Sequence, residues 1–393
     1  MIKKRYLHSS IEEDLKNKMV FLGGPRQVGK TTLSKEIGKE GFKTFSYFNW
    51  DSRQDRDSII KNQFPSEAKL LIFDEIHKYK NWKNYLKGEF DKNKEKYSIL
   101  ATGSARLNVY RKGGDSLMGR YHYYRLHPFS LRELLVKDKI SLKAGKEPTF
   151  LNEKGSGGIL KDLFTFGGFP EPFSKKNRRT LRRFHNERLE LLVKEDIRDL
   201  EGIRDLSALQ ILVEILPEKV GSLFSINSIK EDLGVTHKTA SAWMDVLERF
   251  YYHFRIYPFA TNKIRSLRKE PKLYLWDWSQ VKDEGRRFEN LVASHLLKTV
   301  DYLYDREGIK ADISFLRDVD QREVDFLVSI NKKPWMAVET KTSFDGTLSK
   351  NLLYFMKKIQ PPFVYQVVKE EGIDFTRAGV RVISANKFLS GLI

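Results

Sequence analysis

Residues 20–32, Val-Phe-Leu-Gly-Gly-Pro-Arg-Gln-Val-Gly-Lys-Thr-Thr, restrict what this chain can fold into more than any other stretch. A short apolar run enters a loop bounded by Gly24 and Gly29, and Lys30-Thr31 follow, which completes the spacing G-x-x-x-x-G-K-T. Such a loop works only between a buried strand and the first turn of a helix, because its amides must turn inward around phosphate oxygens. Glycine permits that close backbone approach. The pattern predicts a strand over 20–23, a helix from Lys30 to Lys39, and a nucleotide site formed by Gly24, Pro25, Arg26, Gln27, Val28, Gly29, Lys30, Thr31 and Thr32. Lys30 would neutralise charge on the β/γ-phosphates, Thr31 would ligate Mg²⁺, and the helix N-terminus would add its positive end. An ordinary glycine-rich turn before a helix is the plain alternative.

A second acidic element supports the nucleotide reading. Lys69–Asp74 is a continuous apolar run, as a buried parallel strand should be, and it ends in Asp74-Glu75. In a parallel sheet the end of that strand falls beside the phosphate loop, where Asp74 can hold Mg²⁺ through water and Glu75 can polarise an attacking water. ATP and Mg²⁺ are the expected cofactors. A third buried strand, Tyr97–Thr102, ends in Thr102-Gly-Ser104, whose hydroxyls can sense the γ-phosphate or orient the water. Arg120 is a candidate cationic finger, acting in cis or across a subunit interface of a homo-oligomer, with Arg106 and Arg111 as competitors. His77, two residues beyond the Asp-Glu pair, reads as a supporting or surface residue.

Composition narrows the partners. The 393 residues carry a formal net charge of +19, which favours polyanions, with nucleic acid first and an anionic membrane surface second. There is no cysteine, so disulfides and thiolate metal sites are excluded. Acidic residues at 12–14 stand where a signal peptide needs an apolar stretch, and no run approaches the ~18 apolar residues of a membrane helix. The expectation is a cytoplasmic protein with no membrane partner.

Strands alternating with helices over 18–130 imply a parallel sheet with helices on both faces. Further helices are expected over 5–16 and 81–92, and further strands over 44–50 and 121–128. Lys, Gly and Pro cluster without periodicity over 138–158, which reads as a linker. Residues 159–216 are helical, interrupted by Gly167-Gly-Phe-Pro170. Residues 228–233, Gly234 and residues 236–250 have the helix, turn, helix pattern, with His237, Lys238, Thr239 and Ser241 at the start of the second helix. Strands over 251–260 and 272–278 around the basic loop 263–269 complete a wing-like unit that could add phosphate contacts. Packing alone is the alternative. Trp276 and Trp278 read as core.

The last segment opens with a helix over 288–297. Glu323–Val328 and Trp335–Thr342 read as strands joined by a turn at 331–334. Residues two apart on a strand share a face, so Glu339 and Lys341 point together, and a hairpin would bring Asp325 beside them. Two carboxylates can hold Mg²⁺ while a lysine orients water or steadies charge on phosphate. A solvated ion-pair face is the plain alternative.

Taken together, Gly24–Thr32, Phe73-Asp-Glu-Ile-His77, Thr102-Gly-Ser104, Gly119-Arg120 and Leu126-His-Pro-Phe-Ser-Leu-Arg-Glu133 resemble the archaeal and bacterial AAA-type ATPases, a STAND-related branch of the P-loop NTPases. Gly167–Pro170 and Asp196-Ile-Arg-Asp199 also resemble the helical region of that family. The resemblance implies an α/β protein: a P-loop core over 1–140, a linker and helical lid over 141–216, a winged helix over 217–280, and a restriction-endonuclease-like domain over 281–393. It implies that Asp325, Glu339 and Lys341 correspond to a nuclease motif, with Glu289 as the acidic residue of the preceding helix. The function expected is an Mg²⁺-dependent ATPase that couples nucleotide hydrolysis to DNA binding or remodelling, with nuclease action as an open addition. The alternative is an ATP-driven signalling or assembly switch whose C-terminal domain is not catalytic.

Overall fold

The computed structural model describes residues 4–104, 117–135, 142–197, 205–260 and 269–393. The chain divides into two compact units, one running to His127 and including Arg249–Tyr251, the other containing Pro128–Glu248 and Tyr252–Ile393.

The first unit is an α/β layer. After a short helix α1 (His8–Asp14), strand β1 (Met19–Gly23) leads to α2 (Lys30–Gly41) and β2 (Phe45–Asn49). Then come α3 (Arg53–Ile60), β3 (Leu70–Asp74), α4 (Trp82–Asn93), β4 (Ser98–Gly103) and β5 (Tyr121–Arg125). The five strands form one sheet in the order β2-β3-β4-β1-β5. All four pairings are parallel. Every residue of β1 and β3 is buried, as strands covered on both faces require. Phe21, Phe73 and Ala101 pack with Ile59, Trp82 and Leu86 on the α3/α4 side. Successive strand residues point to opposite faces. Val20, Leu22, Ile72 and Leu100 therefore turn to the side where Ile11, Leu33 and Ile37 of α1 and α2 are buried. The helices expected on both faces are present. Helix α3 was not legible beforehand; Ser52 caps it by accepting the amide of Asp55 at 3.3 Å.

Register decides where the chemistry can lie. Gly23 stands level with Gly103 and with Arg125, and Asn49 level with Asp74. The C-terminal ends of all five strands therefore meet at one edge, the place where ligands bind in open α/β sheets.

The second unit begins with α5 (Leu131–Leu135), α6 (Ser156–Phe166), α7 (Pro170–Lys175), α8 (Arg178–Leu191) and α9 (Leu206–Ile215). The helix, turn, helix pattern appears as α10 (Ile226–Leu233), Gly234 in the left-handed conformation, and α11 (His237–Arg249). Strands β6 (His253–Pro258) and β7 (Lys272–Leu275) pair antiparallel. They are followed by α12 (Glu284–Glu307), β8 (Ala311–Arg317), β9 (Glu323–Ile330), β10 (Lys333–Lys341), α13 (Lys350–Ile359), β11 (Phe363–Val368), β12 (Asp374–Arg377), β13 (Val380–Ser384) and α14 (Ala385–Ser390).

The hairpin read as wing-like also joins a larger sheet: Tyr257 and Pro258 pair parallel with Ser314 and Phe315, which makes β6 and β7 the edge of an eight-stranded sheet in the order β12-β13-β11-β10-β9-β8-β6-β7. His253, Phe254, Ile256 and Leu273 are buried, so apolar burial draws the hairpin onto that sheet. Most of the basic loop, residues 263–268, lies outside the described residues, as do 198–204.

Candidate functional site

The loop between β1 and α2 is built from unusual backbone. Gly24, Gln27 and Gly29 have φ of 152°, 62° and 100°, a mixture of left-handed conformations that lets neighbouring N–H groups line one concavity. A Cβ on Gly24 would lie 2.5 Å from the Leu126 carbonyl oxygen, so only glycine fits. Lys30 is buried, and its ammonium crosses the loop to donate to the carbonyls of Gly24 and Pro25, each at 3.0 Å. Arg5 holds the outer side, donating to Val28 O at 2.8 Å and to His127 O at 2.5 Å. Pro25 and Val28 are buried, Arg26 is half-buried, and Gln27 and Thr32 are exposed.

Across from the loop, Asp74 gathers three hydroxyls. Thr31 donates to its Oδ2 at 2.6 Å, Tyr47 to the same oxygen at 2.7 Å, and Thr102 to Oδ1. Burial alone would push this carboxyl up, but the hydrogen bonds from Thr102, Thr31 and Tyr47, with the nearby charge of Lys30, hold it below the ordinary range. It is an anion in place. Tyr47 is pushed well up by burial and by its bond to Asp74, so it stays a donor.

Glu75 follows at φ 55°, ψ 26°, a left-handed conformation that turns its side chain out of the strand. Its Oε2 accepts from Ser104 at 3.4 Å and stands 3.4 Å from His77 Nδ1. Burial lowers the His77 pKa and favours the neutral imidazole. His77 is 7% exposed, so it is not a surface residue. The two hydroxyls on β4 and beyond thus divide their work: Thr102 serves Asp74 and Ser104 serves Glu75.

Arg120 is not brought to this edge, and the expectation that it acts in cis is corrected. Its carbonyl accepts from Met19 N at the opposite end of β1, about 16 Å from the loop at ~3.3 Å per residue. Its guanidinium instead forms a bidentate pair with Asp91 at 2.7 and 3.0 Å. Arg106 and Arg111 lie outside the described residues.

The donor set fits a magnesium-bound nucleotide. A buried carboxylate anion and a threonine hydroxyl meet at 2.6 Å beside a lysine folded over a loop that only glycine can form. Sequence reasoning missed Tyr47 and Arg5. Tyr47 was findable, because it sits two residues before Asn49 on the strand paired with β3 and shares its face.

The C-terminal residues also come together. The β9–β10 hairpin turns at Asn331-Lys332, both with positive φ, and Thr340 donates to Asp325 Oδ2 through its amide at 2.8 Å and its hydroxyl at 2.6 Å. Lys341 reaches Glu339 Oε1 at 3.0 Å, while Glu339 Oε2 is buried without a hydrogen-bond partner. Glu289 on α12 accepts from Tyr274 at 2.7 Å and from Lys272 at 3.2 Å. Burial and then the charge of Asp325 push Glu289 and Glu339 each up to about 7.

Lys272 was not anticipated. Its ammonium, almost fully buried, stands 2.6 Å from Glu323, 3.2 Å from Glu289 and 3.9 Å from Asp325. A protein cation thus shares the ground expected for metal. Among the described residues no three carboxylate or imidazole groups converge as metal ligands. Asp325, Glu339, Lys341 and Glu289 are thus gathered in one cluster, as expected, with Lys272 added among the carboxylates and one Glu339 oxygen left without a hydrogen-bond partner.

On α11, His237 and Lys238 are exposed, whereas Thr239 and Ser241 are half-buried, and Thr236 accepts the Thr239 amide at 3.1 Å. Trp276 and Trp278 are buried core, as read from the sequence. No helix among the described residues is long and apolar enough to cross a membrane.

Comparison with known proteins bears on each part. Residues 16–135 match an AAA domain family. Residues 158–281 and 284–388 match two domain families of unknown function, DUF8612 and DUF4143. An uncharacterized protein of Methanocaldococcus jannaschii is 25% identical over 303 residues, covering 68% of this chain and 63% of that protein. One from Mycobacterium tuberculosis is 24% identical over 262 residues, covering 66% of this chain and 54% of that one. The chain thus spans between half and two thirds of the length of these relatives. Among solved structures, the Holliday junction branch migration motor RuvB of Thermotoga maritima is 19% identical, with a TM-score of 0.30, over 63% of this chain and 87% of that chain. A STAND protein with a tetratricopeptide repeat sensor from Pyrococcus horikoshii is 13% identical, with a TM-score of 0.23, over 75% of this chain and 45% of that one.

Proposed function

We propose that this chain, whose residues 16–135 match an AAA domain family, hydrolyses ATP and couples that cycle to binding or remodelling DNA. The observation that carries the ATPase reading is the convergence of Thr31, Tyr47 and Thr102 on Asp74 at the same sheet edge as the phosphate loop. Thr31 and Asp74 would hold the magnesium of the nucleotide, which supplies charge neutralisation to the phosphates. Lys30 can leave the Gly24 and Pro25 carbonyls for the β/γ-phosphates, and the left-handed loop offers its amides to the same oxygens. Glu75 takes the proton of the attacking water, and Ser104, in contact with its carboxylate, sets where that carboxylate points. His77, held neutral by burial, stands beside the Glu75 carboxylate without adding a charge.

The test is kinetic. Lys30→Ala is expected to abolish nucleotide binding, and Glu75→Gln to keep binding while turnover falls 10²–10⁴-fold, roughly the share a general base supplies. Normal hydrolysis by the Glu75→Gln protein would overturn the assignment. The net charge of +19 and the exposed start of α11 support the DNA reading. Fluorescence anisotropy that finds no salt-dependent affinity for duplex DNA at low ionic strength would remove it.

A second reading concerns the C-terminal cluster, and the unpartnered buried oxygen of Glu339 favours it. With Asp325 and Lys341 beside it, Glu339 would take part in metal-assisted cleavage of phosphodiesters. Incubating duplex, branched and single-stranded DNA with Mg²⁺, with Asp325→Ala as control, decides between cleavage and a non-catalytic role.

A further inference from the structure

We propose that the outward face of α8 is a docking surface for the phosphate backbone of nucleic acid, bound without regard to sequence. The inference rests on the DNA reading above and places the contact on an element other than the α10–α11 pair.

Lys175 and Lys176 end the preceding helix and enter the turn, Asn177 caps α8 by accepting the amides of Arg179 and Thr180 at 2.8 and 3.1 Å, and Arg178, Arg179, Arg182 and Arg183 follow. All six cations are exposed. Lys176 pairs with Asp162 at 2.6 Å and Arg183 weakly with Glu187 at 3.5 Å. Among the described residues, Arg178, Arg179 and Arg182 have no ion pair or hydrogen bond from their side chains. At 3.6 residues per turn the four arginines sweep an arc of about 140°. Phe184 and Arg188, the buried positions of this helix, lie on the opposite side.

Folding does not account for this arrangement. A helix N-terminus is its positive end and favours acidic residues, yet the first turn of α8 holds none, and two arginines occupy it. Placing unpaired cations there opposes the helix dipole, a cost that a bound polyanion would relieve. The surface carries no exposed aromatic or aliphatic anchor between the arginines, which a protein partner would need. The guanidinium fork suits phosphate oxygens. The uncharged polar residues of this turn do not add base readout, since Asn177 is spent on the cap and Thr180 is half-buried.

The experiment is a salt titration of full-length protein against a fluorescein-labelled duplex of arbitrary sequence, from 50 to 200 mM NaCl. It is run for wild type, for R178Q/R179Q/R182Q/R183Q and for K238A. The slope of log affinity against log salt should become shallower by about 3 in the quadruple variant, so its deficit is about 60-fold larger at 50 mM than at 200 mM. Its melting temperature should stay level or rise, because cations leave the positive end of a helix. If the variant loses melting temperature, R178Q/R182Q replaces it, with a slope change of about 2. A wild type that does not bind the duplex at 50 mM defeats the DNA reading and this inference together. A wild type that binds, with a quadruple variant of unchanged slope, overturns the inference alone. A deficit equal at both salt concentrations also overturns it, as does loss of binding to anionic vesicles with duplex binding intact.

Discussion

Replacing Thr102 by valine removes one donor from Asp74 while keeping the shape of a fully buried side chain. Hydrogen bonds to charged groups contribute about 1.5–3 kcal/mol, and two donors, Thr31 and Tyr47, remain. A loss of about 2 kcal/mol lowers the melting temperature by roughly 6–12 °C for a unit of this size, which lies between small and mid-sized domains. The pH dependence distinguishes a lost carboxylate contact from a general packing defect. Because Asp74 is held below its ordinary value, its stabilisation is complete above the unfolded-state pKa of about 3.9 and is lost only as pH falls through the lower folded value. The difference between wild type and Thr102→Val should therefore be constant from pH 8 to 5 and narrow only below about pH 4. Circular dichroism melting without nucleotide measures it. Tyr47→Phe, at a half-buried position where water can replace the donor, should cost only about 0.5–1.5 kcal/mol. No drop at pH 7 for Thr102→Val, or a difference that closes between pH 8 and 5, would refute the reasoning.

Other outcomes follow from the same geometry. Gly24→Ala places a methyl 2.5 Å from a backbone oxygen at a φ of +152°, so ATP should no longer raise the melting temperature of that protein in a thermal-shift assay. Glu289 titrates near 7 in the fold against 4.5 unfolded, so raising pH through that window ionises the unfolded chain first and destabilises the protein by up to about 3 kcal/mol. Glu289→Gln should flatten the difference between urea midpoints at pH 5 and pH 7.5. Lys298→Ala, which strands buried Glu133, should cost about 3–5 kcal/mol in urea denaturation, whereas Glu133→Leu with Lys298→Met should recover most of it.

The clustering of the loop with Asp74 at one sheet edge was legible because its parts are local. Gly24–Thr31 is contiguous, and a buried strand ending in Asp74-Glu75 can meet that loop at only one edge of a parallel sheet. The cis role of Arg120 failed because a sequence gives the residue but not the end of the strand on which it stands; the register of Tyr121 with Met19 sends it to the far side of its own sheet. The setting of the wing-like hairpin was hidden for a different reason. Two strands around a basic loop specify a hairpin, but whether its outer edge stays open depends on a partner strand more than fifty residues later, and β8 supplies one. Lys272 was hidden for the same reason. Nothing local marks one lysine among so many as the one that three strand and helix carboxylates will surround.

The segment 126–133 carries this reasoning furthest. In the sequence it resembles a family motif with no evident chemistry, and the structure gives it a purely positional one. Leu126 N donates to Gly23 O at 2.8 Å, and its own carbonyl is the atom that forbids a side chain at Gly24. His127 O is tied by Arg5, which also ties Val28 of the phosphate loop. One residue later the chain enters the second unit, and the anchors change owner. Phe129 N reaches Gly168 O at 2.7 Å, Leu131 N reaches His295 Nε2 at 3.0 Å, and Lys298 grips Pro128 O, Ser130 and Glu133 at 3.2, 2.9 and 2.6 Å. A buried ion pair of this kind adds little net stability, since desolvation offsets most of its attraction, but it tolerates only one register. The motif thus anchors the chain twice, residues 126–127 within the first unit and residues 128–133 within the second. Ser130 and Glu133 are held there by Lys298.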